Sequence, residues 1–188
     1  MCVDYEDLEA TSQHAADFCC TTDIKSLVIL NGMHGIRPFS RLSPDILLAF
    51  LKANVMYPAE VIRALLKSNS NGSLKSIVLV GSIAALKGQK GLSAYATSKA
   101  ALMGLVRSLA AEYGHRGLRI NMISPGFIDS PVGRDVSSRT RAIEEITSEY
   151  PLGLGSTEDF VNQVQFLIDD KSRWVTGQNI VIDGGFSV

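Results

Sequence analysis

"SIVLVGSIAALKGQKGLSAYATSKAAL", residues 76–102, decides how this chain is read. The run up to Val80 is nearly continuous in apolar residues, without the alternation of a half-exposed strand. That pattern suits a strand covered on both faces. A helix over Ser93–Tyr113, stopped by Gly114, follows it. Ser82 then stands at the carboxyl end of a strand, the place beyond which open α/β sheets bind ligands. Tyr95 and Lys99 stand four apart and share a helix face. An ammonium there favours the phenolate and lowers the phenol pKa from about 10. A phenol so tuned gives a proton to a carbonyl oxygen or takes one from an alcohol. Ser82 can converge with it on one substrate oxygen. Each feature also has a plainer reading. Five tyrosines and eight lysines supply one such spacing by chance in about one chain in five. Ser82 alone is equally a turn serine.

Three further runs read as buried strands: Leu27–Leu30, Leu118–Ile123 and Asn179–Ile182. Helices separate them. One runs from about Asp4, a candidate cap, to Cys20. Another opens at Ser43-Pro44 and continues to about Ser68. Pro58 lies inside it and has no N–H, which leaves the carbonyl of Asn54 without its helical donor and predicts a kink. Further helices fall within Arg139–Glu149 and Thr157–Asp169. Strand and helix alternate, which points to an α/β fold with a doubly wound parallel sheet of about four strands and a single domain over 1–188.

Composition narrows the function classes. The 188 residues are 46% apolar and 20% charged, with a net charge of −1. Such a balance fits a globular domain and gives no footprint for nucleic acid or an anionic membrane. No apolar run approaches the roughly 18 residues of a membrane span. The acidic start "MCVDYEDLEA" has no targeting character, and Cys2, Cys19 and Cys20 read as reduced thiols. A cytoplasmic location is therefore expected. His14, His34 and His115 are too scattered for a metal site, and His34 reads as an ordinary loop residue.

Together these residues make the chain resemble the short-chain dehydrogenase/reductase family. The likeness is carried by "SIVLVGSIAALKGQKGLSAYATSKAAL", then "LRINMISPGFIDSPV", then "WVTGQNIVIDGG". It implies a Rossmann-like fold and an oxidoreductase that interconverts a carbonyl and a secondary alcohol with NAD or NADP. It implies Tyr95 as acid/base, Lys99 as the residue that lowers its pKa and binds the nicotinamide ribose, and Ser82 as the substrate-oxygen partner. Asn54 matches the helix asparagine of a proton relay through a backbone-bound water. Asn31, Pro125, Gly126, Ile128 and Ser130 match cofactor-contacting positions. The resemblance also implies a homodimer or homotetramer acting on a small molecule. Residues 131–153 take the place of a substrate lid.

Two departures accompany it. "NGMHG", residues 31–35, stands where the family has N-N-A-G. The chain also holds no G-x-G-x-x-G or T-G-x-x-x-G-x-G turn, the cradle on which a helix amino terminus receives the pyrophosphate. The family's first strands are thus expected to be missing, with strands 4 to 7 of the order 3-2-1-4-5-6-7 retained and Leu27–Leu30 left as an open edge. The alternative expectation is a truncated member, a pseudoenzyme or a gene-model fragment that binds the dinucleotide weakly and acts as an interaction subunit.

Overall fold

The computed structural model describes residues 7–21, 23–68, 72–131, 133–134 and 143–188. Its sheet grows from the apolar runs. β1 (Ser26–Ile29), β2 (Ser76–Val80), β3 (Arg119–Pro125) and β4 (Asn179–Ile182) pair in the order β1-β2-β3-β4, every neighbouring pair parallel. Val28 pairs with Val78, Val78 with Asn121, and Ile123 with Ile180. β1 stands at the edge of this sheet, and Leu30, which the sequence placed inside the strand, is 63% exposed just beyond it.

Helices cover both faces, which is why the strands read as continuous apolar runs. The helices are α1 (Leu8–Thr21), α2 (Pro44–Leu51), α3 (Tyr57–Ser68), α4 (Ser93–Tyr113), α5 (Ile143–Thr147) and α6 (Thr157–Ile168). Ile62 and Leu65 of α3 and Leu102 and Val106 of α4 bury Ile77, Leu79, Ile120 and Met122. Leu167 of α6 packs on the opposite face with Val78 and Ile123. The doubly wound expectation follows directly from this alternation along each strand.

Local chemistry fixes the ends, in places differently from expectation. Asp4 lies outside the described residues; Asp7 Oδ1 accepts from the Ala10 N–H at 2.8 Å in the first turn of α1. Ser43 caps α2 through the Ile46 N–H, with Pro44 at the first helical position. Gly114 is right-handed and opens a 3₁₀ turn, and the left-handed stop falls at Gly117, φ 75°. The interruption expected at Pro58 takes the form of a π-helical segment, Lys52–Met56, in which the Tyr57 N–H reaches back to the Lys52 carbonyl. Ser156 and Asp159 form a reciprocal capping box on α6. At its far end the Leu167 carbonyl accepts from Ser76 Oγ, Arg119 Nη1 and Ser172 Oγ. Burial pushes the Arg119 guanidinium below its ordinary pKa.

Candidate active site

The carboxyl ends of β1, β2 and β3 lead into Asn31, Ser82 and Pro125-Gly126 respectively. Three of the four expected reaction-centre side chains then converge from two helices. Asn54 comes from the π segment between α2 and α3, while Tyr95 and Lys99 come from the first two turns of α4. Gly91 makes the entry to α4 possible. Its φ is 78°, its carbonyl accepts from the Arg37 N–H at 2.8 Å, and a Cβ there would stand 2.8 Å from Ile36.

The Ser82 hydroxyl accepts from the Ala84 N–H at 3.2 Å and lies near enough to the Tyr95 phenol to favour its ionised form. Asn54 is wholly buried. Its Oδ1 accepts from the Met33 N–H at 2.6 Å, and its Nδ2 donates to the Met33 carbonyl at 2.9 Å and to Ser98 Oγ at 2.8 Å. This amide therefore ties the loop after β1 to α4. Lys99 is 4% exposed, and its Nζ donates to the Val80 carbonyl at 2.7 Å. Burial pulls its pKa down to about 8.

In the ligand-free site burial raises the Tyr95 phenol above its ordinary value, and Ser82 opposes that rise. Lys99 Nζ lies 6.0 Å from the Tyr95 ring centroid and spends a donor on Val80.

Sequence reasoning missed three contributors. Gly32 is needed for room rather than for its dihedral angles. A Cβ there would stand 2.9 Å from Asn54 Oδ1 and 3.1 Å from Lys99 Nζ, and its φ is not positive. Ser98 links Asn54 to the Tyr95 carbonyl, which accepts from Ser98 Oγ at 2.8 Å; its position three residues after Tyr95 was the available signal. His34, read as a loop residue, sets its ring edge-on to Tyr95, centroids 4.8 Å apart at 68°. Burial lowers its pKa.

The remaining expected cofactor positions divide. Asn31 Nδ2 is buried without a hydrogen-bond partner, and a buried unpaired donor calls for a ligand acceptor. Gly126 is packed shut: a Cβ would stand 2.8 Å from Tyr150 and 2.9 Å from the Asp183 backbone. Ile128 bridges Gly155, and Ser130 Oγ accepts from the Gly133 N–H at 3.1 Å, so both are engaged in the loop after β3. Of the expected lid, residues 132 and 135–142 lie outside the described residues. Among the described residues, no group of three or more His, Cys, Asp or Glu side chains is arranged to hold a metal, and no helix is long and apolar enough to cross a membrane.

The family described as Enoyl-(Acyl carrier protein) reductase matches residues 4–187. The 3-oxoacyl-[acyl-carrier-protein] reductase FabG of Rickettsia felis is 35% identical over 136 residues, 72% of this chain and 54% of that protein. The 3-oxoacyl-[acyl-carrier-protein] reductase of Bos taurus is 32% identical over 166 residues, 88% of this chain and 67% of that protein. A 4-hydroxyisoleucine dehydrogenase mutant, solved with NADH and succinate, superposes with a TM-score of 0.89 at 30% identity, covering 98% of this chain and 77% of that one. The chain belongs to the short-chain dehydrogenase/reductase family. It spans about half the length of the first curated relatives it matches.

Proposed function

We propose that this chain carries the proton-transfer centre of an NAD(P)-dependent oxidoreductase acting on a carbonyl and its secondary alcohol. The observation that carries the reading is the convergence of Ser82, at the carboxyl end of β2, with the Tyr95 phenol, and of buried Lys99 one turn further along α4. One feature of the site fits a nicotinamide dinucleotide: Asn31 Nδ2, just beyond the carboxyl end of β1, is an unpaired buried donor. When bound, the dinucleotide supplies or accepts the hydride.

This chain's residues do the rest. Ser82 holds the carbonyl oxygen, and Tyr95 delivers its phenolic proton to that oxygen as it becomes an alcohol. Ordered donors at the point of charge development are worth most in a water-poor site. Lys99 stabilises the tyrosinate left behind. Asn54 fixes the loop after β1, and its carbonyl is the acceptor for the water of the proton relay. Pro58 cannot donate to that carbonyl. Pro125, Gly126, Ile128 and Ser130 shape the far side of the site. The same reading includes a homodimer or homotetramer in the cytoplasm, assembled through α3 and α4, where Leu66, Leu105, Leu109 and Tyr113 line a groove of about 230 Å³.

The relatives named above make a 3-oxoacyl thioester the first substrate to assay. Tyr95→Phe is expected to lower turnover at least about a thousandfold while leaving cofactor binding nearly unchanged. Full turnover in that variant removes Tyr95 from its role. A second reading, weak dinucleotide binding by this chain alone, is favoured by one observation: no glycine-rich pyrophosphate turn occurs within the 188 residues.

A further inference from the structure

We propose that His34 is a positioning residue for Tyr95, its imidazole walling the phenol off from water so that the loop after β1 helps set the acidity of the proton donor. The proposal rests on the reading of Tyr95 as that donor. The two rings meet edge to face, centroids 4.8 Å apart at 68°, a favoured aromatic arrangement.

The contact is held from both sides. Immediately before His34, Met33 has its N–H and its carbonyl bonded to the side chain of Asn54, at 2.6 and 2.9 Å. Asn54 is in turn bonded to Ser98, whose hydroxyl donates to the Tyr95 carbonyl at 2.8 Å. Immediately after His34, Gly35 sits so close to Phe50 that a Cβ would stand 3.2 Å from its ring. His34 is thus pinned to the turn of α4 that carries Tyr95.

The chemistry suits a wall. A neutral imidazole packs as a small aromatic ring, and although His34 is exposed over part of its surface, its partial desolvation lowers its pKa and favours that neutral form. Among the described residues, the titratable groups against Tyr95 are His34 from the loop after β1 and Lys99 from its own helix; Ser82, from the end of β2, is uncharged. Burial is the largest influence on the phenol and raises its pKa. Removing a ring that lies against the phenol should therefore bring that pKa down.

The test is the ultraviolet titration of tyrosinate in the ligand-free chain, with the Tyr95→Phe curve subtracted to isolate Tyr95. Wild type is expected to titrate above the ordinary value of about 10. His34→Ala should move the midpoint down by about half a pH unit or more, and His34→Phe should leave it within about 0.2. His34→Gln, which keeps a polar side chain of similar reach but no ring, should behave as His34→Ala and serves if that variant does not fold. An unchanged Tyr95 midpoint in a folded His34→Ala or His34→Gln protein overturns the proposal. So does a midpoint in His34→Phe that falls as far as in His34→Ala. The readout needs neither cofactor nor turnover, so failure of the oxidoreductase reading appears separately, as missing activity with the tyrosine titration intact.

Discussion

Lys99 carries the most testable electrostatics in the site. Its ammonium is buried and its pKa is pulled down to about 8. The unfolded chain keeps that proton to about pH 10.4. Between those values the unfolded state binds more protons, so stability rises with pH across the window. Tyr95, with its pKa raised, acts in the opposite sense, and only above about pH 10. Urea midpoints should therefore rise by about 2 kcal/mol of stability from about pH 7.5 to about pH 9.5. Lys99→Met should flatten the rise, and a flat wild-type profile would place the ammonium in water. Gly32→Ala is the steric counterpart. The new Cβ meets Asn54 Oδ1, which two backbone bonds on Met33 hold in place. Cofactor affinity should fall about tenfold by calorimetry, or about 1.4 kcal/mol. At this scale the sequence was half legible. Ser82, Tyr95 and Lys99 announced themselves by spacing along one strand and helix. His34, Gly32 and Ser98 act across loops, and no local period reports a contact between residues 34 and 95.

At the scale of elements, the sequence was most legible where one local force dominates. β2, β4 and α4 match their expected spans residue for residue. Their apolar runs and flanking glycines admit few alternatives. Pro58 gave the place of an interruption but not its form, because a missing donor is compatible with a kink or with a π turn, and packing of the wholly buried Asn54 and Ala53 decides between them. Gly114 ends α4 as expected, but in a right-handed conformation that opens a 3₁₀ turn, because glycine permits the left-handed conformation without requiring it. Arg119 looked like one residue of a strand. In the structure it caps the end of α6, donating to the Leu167 carbonyl at 2.8 Å and to Ser172 Oγ at 2.7 Å. Arg119→Met should destabilise by about 2 kcal/mol in urea unfolding, and a loss under about 0.5 kcal/mol would mean that Ser76 and Ser172 satisfy that carbonyl unaided.

For the whole molecule, strand order followed from the alternation of strands and helices, and the four strands stand in the order expected for strands 4 to 7 of the family. Quaternary structure was not legible, since a helix face that packs on a sheet and one that packs on a second copy share the same apolar periodicity. The proposed α3–α4 assembly predicts that Leu109→Glu lowers the mass measured by sedimentation equilibrium to that of a monomer. A mass unchanged from wild type would put the subunit contact elsewhere. The account stands most directly on whether the site around Asn31, Gly32 and Lys99 takes the dinucleotide. Titrating NADH and NADPH into the folded chain by fluorescence and calorimetry measures this. The account predicts saturable binding of at least one of them, with a Kd at or below about 1 mM, weakened in Gly32→Ala. No binding to a chain whose circular dichroism shows it folded would contradict it.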